Sequence, residues 1–553
     1  MKKKLILITS IGLLSICLCS CQYFMQILGG SDGGIYFFPP DSARTASSIV
    51  DVSTPPPGEI TANKASATYA DYINNNVYPL SMTPSVGTAN LLVIPVWFND
   101  SNSFISEAKK ESVRQDIEKS YFGSDEEVGW KSVKTYYEQE SMGSLTLNGK
   151  VSAWYECGSS YTTYAKDPGT KDNGAPKTSA LVDNAVNWYF DNNPSDFRRN
   201  YDRNGDGYLD GVMLIYAAPD CQSIGNESYD NLWAYCFWVQ DPKKQKPASP
   251  GVNAFFWASY DFIYGSEIAV SKTGKKYGAG DTKHCKLDAH TYIHEMGHMF
   301  GLEDYYDYSD NKYQPAGGFS MQDHNVGSHD PFSSYALGWG KAYVPTDTIT
   351  IDLKSFADTG EMILLKANGV TSNTPFDEYL LLEYYTPTGL NEFDTTYKYM
   401  SSYGKDYPIA TKDSGIRLWH VDARLISTID GSWNASRITN NVNTKNITLV
   451  MSNSYLHPNG CPYVSVLADY DSKYADYNLL QLIRNSTTAT YKPRDKDFFV
   501  AGALFKAGDT FTMDRYKKQF VNEGKMNSNS DLGFSFSINA CNSTYASIQI
   551  TKL

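Results

Sequence analysis

The 553-residue sequence predicts an α+β (α/β-like) domain over residues 86–345, followed by a β-rich, sandwich-like C-terminal domain over 346–553. Three observations carry this expectation. First, buried-strand runs alternate with helix-length segments in the first of these regions. Leu91 to Phe98 and Val212 to Ala217 are short, apolar and rich in β-branched residues, which reads as strand buried on both faces. Ser132 to Gln139, Lys177 to Asn192 and Asp288 to Gly301 read as helices, and Leu145 to Tyr155 alternates like a further strand. Such a mixture packs in layers. Second, the texture changes near residue 346 to short alternating runs separated by turns: Ile349 to Ile351, Tyr379 to Tyr384, Gly415 to Val421, Ile447 to Met451 and Ala546 to Ile550. Third, 41% hydrophobic and 20% charged residues supply material for packed cores and exclude a mostly disordered chain. The formal net charge of -13 argues against a broad nucleic-acid binder, which needs a basic field, and suits a surface that attracts cations. No fixed-period repeat suggests a solenoid.

The N-terminus points to export. Met1 to Lys4 is basic, and Leu5 to Leu18 is an apolar run too short to span a bilayer. Leu18-Cys19-Ser20-Cys21 resembles a bacterial lipobox, so residues 1–20 read as a lipoprotein signal peptide with Cys21 as the lipidated N-terminus. Ordinary signal cleavage nearby is the alternative. The expected location is the outer face of a bacterial membrane or the cell surface, with or without shedding. Residues 21–85, rich in Gly, Ser, Thr and Pro at their start, read as a flexible tether or a proregion. Cys157, Cys221, Cys236, Cys285, Cys461 and Cys541 are sparse for so long a chain; disulfides are open and their pairing is not legible.

His294-Glu295-Met296-Gly297-His298 carries the chemistry. Two histidines four apart share one helix face and can grip one zinc ion. Glu295 lies beside them, placed to take a proton from water as general base. The pattern extends through Gly301, which permits positive φ and turns the chain back, to Asp304 as third zinc ligand. Two His and one carboxylate leave a fourth position for water, as catalytic zinc requires. The bland alternative is a capped helix bearing surface His and Asp; it leaves the spacing unexplained.

These residues resemble the metzincin-like zinc peptidases of the immune inhibitor A (M6) family, whose motif is HExxHxxGxxD. His294 to Asp307 reads HEMGHMFGLEDYYD, and Gly317 to Met321 looks like that family's methionine turn. The resemblance implies a metzincin-type catalytic domain in which Met321 floors the ligands. His329 to Trp339 resembles the helix that closes the domain, Tyr136 to Gly143 an upstream segment, and Gly415 to Asp422 a signature in the β-rich region. Glu303 departs from the family, where Pro is common. His290, His324, His329 and His420 read chiefly as structural, and Tyr335 as a helix-packing residue or a transition-state donor.

Asp202-Arg203-Asn204-Gly205-Asp206-Gly207-Tyr208-Leu209-Asp210 fits a calcium loop. Asp202, Asn204, Asp206 and Asp210 would offer side-chain oxygens and Tyr208 its carbonyl. Position twelve is Met213, so this is not an EF-hand. An Asp/Asn/Gly surface turn is the alternative.

The expected function is therefore an exported zinc metalloendopeptidase, a monomer acting on protein or peptide substrates and binding no nucleic acid. Substrate is expected to lie along an edge strand, with Leu145 to Val151 as the candidate. The rival is a surface lipoprotein that binds glycans or proteins and uses zinc only structurally. A zinc amidohydrolase acting on cell-wall peptide is a weaker alternative.

Overall fold

The computed structural model describes residues 60–75, 82–166, 177–226, 228–239, 249–264, 286–307, 314–368, 370, 373–396, 410–429, 432–454, 476–492 and 501–553. The expected signal peptide, Cys285, Cys461 and all of residues 21–59, Cys21 included, lie outside them. Among the described residues, no helix is long and apolar enough to cross a membrane. Among the described residues, Cys157, Cys236 and Cys541 are free thiols.

The chain enters through a short helix, α1 (Tyr69–Asn74), then a long strand, β1 (Gly87–Trp97). Every residue from Leu91 to Trp97 is buried, which places β1 inside a sheet covered on both faces. Helices α2 (Glu107–Phe122) and α3 (Val133–Glu140) follow, then β2 (Leu145–Val151) and β3 (Tyr155–Glu156). Helix α4 (Lys177–Asn192), β4 (Gly211–Tyr216), β5 (Tyr235–Trp238), β6 (Ala254–Ser259) and helix α5 (His290–Met299) complete the first layer set. The six-stranded sheet runs β2-β1-β4-β6-β5, with β3 also on β1. All its pairings are parallel except β5 on β6. Ser132 caps α3 by accepting the Thr135 N–H, as the Ser–x–x pattern before an apolar run suggests. Helix α2 escaped prediction because its inward stripe is thin: only Val113, Ile117, Ser120 and Tyr121 are buried, and its other face carries Arg114 paired to Glu111 and Glu118.

Helix α6 (Pro331–Ala336) leads into β7 (Lys341–Tyr343), β8 (Ile349–Lys354), β9 (Glu361–Lys366), β10 (Glu378–Tyr385), the helix α7 (Asn391–Thr396), β11 (Gly415–Asp422), β12 (Leu425–Ile429), β13 (Ser432–Thr439), β14 (Ile447–Leu449), β15 (Leu480–Ile483), β16 (Thr510–Phe511), β17 (Phe534–Cys541) and β18 (Tyr545–Lys552). These form sheets β15-β11-β10-β9-β7, β13-β12-β14 and β16-β17-β18-β8. The five-stranded sheet is buried on both faces, and the period of two divides its side chains. Leu380, Leu382, Tyr384, Ile416 and Leu418 share a core with Ile351, Phe536 and Ile548 of the four-stranded sheet. Tyr379, Leu381, Trp419 and Val421 point the other way, into one core with the first layer set.

Residues 60–75 differ from a flexible tether. Asn63 bridges Ala342 as a strand partner, and Tyr69, Tyr72 and Ile73 are buried. Tyr69 packs its ring edge-on against Phe332 and Phe376, one from each side of residue 346. The reason is local: Thr68 and Asp71 form a capping box, and the apolar residues of YADYIN fall on one helical face.

Candidate metal centre

Helix α5 brings His294 and His298 onto one face, as i and i+4 require. It stops in a Schellman arrangement: Gly301 N–H donates to the His298 carbonyl at 2.9 Å and Leu302 N–H to the Gly297 carbonyl at 3.2 Å. Gly301 holds φ +101°, which an L side chain resists. The turn swings Asp304 back beneath the helix, where its Oδ1 lies 2.9 Å from His294 Nε2 and 3.3 Å from His298 Nε2. Asp304 is fully buried. The spacing of HExxHxxGxxD thus gathers these three side chains at one point.

Backbone carbonyls set both tautomers. His294 Nδ1 donates to the Met321 carbonyl at 2.7 Å and His298 Nδ1 to the Leu302 carbonyl at 2.8 Å. A carbonyl only accepts, so each Nδ1 carries a proton and each Nε2 is the ring atom left to face Asp304. Three electron-rich atoms so close need positive charge among them. Burial alone would depress His298, but the Asp304 carboxylate outweighs it and holds the imidazole up to about 9. His294 is raised by the same partner against the same burial, and Asp304 is held well below its ordinary value by the two imidazoles. A divalent cation satisfies the same demand. The separations suit it: tetrahedral zinc bonds of about 2.0 Å imply neighbouring ligands about 3.3 Å apart. His294, Glu295 and His298 also offer ligand atoms within 4.8 Å of one another, a grouping that again centres on α5.

Glu295 is 3% exposed, and its Oε2 has no hydrogen-bond partner. Burial raises its carboxyl above the ordinary value, while the two imidazoles oppose the shift. Gly297 admits Gln322: a Cβ there would stand 2.2 Å from Gln322 Oε1. Met321 is fully buried, and it reaches the site through its carbonyl as well as by packing. Upstream, Tyr137 donates to the Ile293 carbonyl at 2.7 Å and Tyr136 to the Gly327 carbonyl at 2.7 Å, so α3 braces both α5 and the loop after the methionine turn. Sequence reasoning missed Cys236, whose Sγ lies 3.1 Å from the Glu295 carbonyl; nothing in a single YCFW strand signals such a neighbour.

Other expectations fare differently. His290 Nε2 lies 3.1 Å from the Asn325 carbonyl, and burial lowers it to about 3. His329 packs among Tyr136, Tyr137 and Trp339, also lowered to about 3 by burial. His324 pairs with Asp323. His420 pairs with Glu378 at 2.8 Å in the β-rich region. Tyr335 is buried and its hydroxyl donates to the Asn373 carbonyl, a packing role that takes it away from any transition state. Leu145 to Val151 is at the wrong end of the sheet. It forms β2, four strand spacings from β5, about 19 Å away; β5 is the edge strand that touches Glu295.

In the 202–210 loop, the side chains serve the loop itself. Asp202 accepts from Asp206 N–H and Gly207 N–H at 3.0 Å each, and Asp206 accepts from Tyr208 N–H at 2.9 Å. Asn204 accepts from Asp206 N–H at 3.2 Å. Asp210 ties Arg203 N–H and Asn90 N–H together at 2.9 and 2.8 Å. Among the described residues, the zinc-motif cluster is the group of three metal-type donors that converges, and the loop carboxylates do not join one.

Residues 99–323 match the family model described as immune inhibitor A peptidase M6, catalytic domain. Immune inhibitor A of Bacillus thuringiensis subsp. alesti is 29% identical over 193 residues, covering 32% of this chain and 26% of that protein. The pre-pro-metalloprotease PrtV of Vibrio cholerae serotype O1 (strain M66-2) is 27% identical over 208 residues, covering 34% of this chain and 20% of that protein. The chain therefore spans about a quarter or less of the length of these relatives. The matched span contains His294, Glu295, His298 and Asp304, so the side chains gathered at helix α5 lie within a segment similar to the catalytic domain of M6, immune inhibitor A-type, metallopeptidases.

Proposed function

We propose that this chain is an exported zinc endopeptidase of metzincin type that hydrolyses peptide bonds in proteins, anchored by a lipid on Cys21. The observation that carries the reading is the convergence of His294 Nε2 and His298 Nε2 on one oxygen of Asp304, with the unpartnered Glu295 carboxyl oxygen alongside. His294, His298 and Asp304 would hold the zinc. When bound, zinc supplies a Lewis acid that acidifies water and polarises the scissile carbonyl. Glu295 takes the proton of the attacking water and passes it to the leaving amine. Its enclosure keeps that proton from bulk solvent. Extended substrate adds to the outer edge of β5, whose neighbour β6 occupies the inner edge. A glycan- or protein-binding lipoprotein has no use for Glu295 and is the weaker reading.

Glu295→Gln tests the role of the base. Zinc content is expected to stay at the wild-type level while casein hydrolysis falls by about 10²–10⁴-fold. Unchanged turnover overturns the assignment.

The 202–210 loop is proposed to take a structural calcium ion once Asp202 and Asp206 turn from their N–H partners towards it. Added Ca²⁺, compared with Mg²⁺, is expected to raise the melting temperature of the wild type and not that of Asp206→Ala. An equal response of both variants removes the site.

A further inference from the structure

The metal-ligand loop is held from outside the matched peptidase domain. Three consecutive residues after β14 meet three consecutive residues around the third ligand. The Ser454 hydroxyl donates to the Asp304 carbonyl at 2.8 Å. The Asn453 side-chain amide donates to the Tyr305 carbonyl at 3.1 Å. The Ser452 hydroxyl hydrogen-bonds the Glu303 carboxyl. All three are buried, Asn453 completely.

The clamp is itself anchored. Asn453 donates to the Leu480 carbonyl at 2.8 Å and accepts the Leu480 N–H at 3.0 Å, so one amide welds the loop to strand β15. Two residues further along the strand, Leu482 N–H donates at 2.8 Å to the carbonyl of Pro315, just ahead of the Gly317–Met321 turn. Strand β15 thus holds both banks of the site: the Asp304 loop through Asn453 and the Met321 turn through Pro315. Beside it, Arg417 of β11 lies 4.1 Å over the Phe319 ring and 3.8 Å over Tyr385, paired with Glu383 at 3.3 Å.

The geometry points to Ser454 and Asn453, together with Ser452 on the adjoining Glu303, as positioning residues that set where the Asp304 carboxylate meets the two imidazoles. This rests on the metal-centre reading above. Asp304 sits three residues past a glycine turn, and its place beneath α5 follows only if its main chain is fixed. Two buried carbonyls there, those of Asp304 and Tyr305, take their donors from the C-terminal region. Losing a donor leaves a desolvated carbonyl, and the loop relaxes to find another partner. The C-terminal region is then part of the catalytic machinery's frame and more than a substrate adaptor.

The test uses the full chain with Ser454→Ala, Ser454→Thr, Ser452→Ala and His294→Ala. Zinc affinity is measured by chelator competition, with apo-protein melting temperature, kcat and KM alongside. Ser454→Ala is expected to weaken zinc binding about 10–100-fold, the usual effect of losing an outer support. It should lower kcat more than KM, leave the apo melting temperature near wild type, and be rescued by Ser454→Thr. Should Ser454→Ala fold poorly, Ser452→Ala carries the same comparison. Zinc affinity unchanged in these variants, while His294→Ala abolishes it, overturns this inference alone. A wild type that binds no zinc overturns both this inference and the metal-centre reading.

Discussion

Gly301 illustrates how much rests on single residues. Its φ of +101° lets α5 end directly after His298, at Met299, and the chain reverses in time for Asp304 to return. The space above it is filled as well, because a Cβ would meet Ile73 Cδ1 at 2.7 Å. Gly301→Ala therefore strains the backbone and pushes α1 away. It is expected to cost about 1–2 kcal/mol in denaturant unfolding and to reduce zinc retention after dialysis; full retention at wild-type stability refutes the account. The spacing that brings His294, His298 and Asp304 together and the glycine between them were legible in the sequence, since local helix geometry dictates them. The carbonyls that set the imidazole tautomers were not, because Met321 and Leu302 reach the rings through backbone atoms that any residue could supply.

At the level of elements, helix α7 controls the loop after the methionine turn. Asp394 accepts the Val326 and Gly327 N–H groups at 3.0 and 2.8 Å. Burial raises its carboxyl to about 7, against the pull of those two bonds and of Arg417. A folded value above the unfolded one means that the folded chain holds the proton more tightly. Its stabilising effect is complete below about pH 4 and is lost as pH rises towards 7, by at most about 4 kcal/mol. Asp394→Asn is expected to flatten the fall in denaturant midpoint between pH 5 and pH 7.5, and an unaltered slope dismisses the assignment. Helix α1 is the other decisive element. It turns part of an expected tether into a strap, with the Tyr72 hydroxyl 3.3 Å from Thr448 Oγ1 and Ile447 N–H donating to the Asn75 carbonyl at 3.1 Å. Tyr69→Ala should destabilise the chain by about 3–5 kcal/mol, the loss typical of a buried ring; a neutral result would mark the strap as dispensable. Sequence reading passed over α1 because one amphipathic turn and a half is too short to register by periodicity.

For the molecule as a whole, the two halves share a core. Tyr379, Leu381 and Trp419 of the five-stranded sheet pack into the same cluster as β1, β4 and α5. A chain ending at residue 345 would expose that apolar surface and lose the Ser454 and Asn453 donors. It is expected to be insoluble or to bind hydrophobic dye strongly, and a monomeric, zinc-binding 60–345 fragment would refute the shared-core account. The change of texture near residue 346 was visible in the sequence. Its energetic meaning was hidden, since an alternating strand reports that its two faces differ and not what covers each.

By itself, then, the sequence determined what short-range geometry can dictate: two imidazoles and a carboxylate brought to one point by a helix and a glycine turn, buried strands mixed with helices before it, and a β-rich region after it. Only the folded chain decided which edge strand stands beside Glu295, that residues 60–75 are packed, and that a serine and an asparagine some 150 positions downstream hold the third ligand's main chain. Those contacts join segments distant in sequence through single hydrogen bonds, and no periodicity or spacing in the chain encodes them.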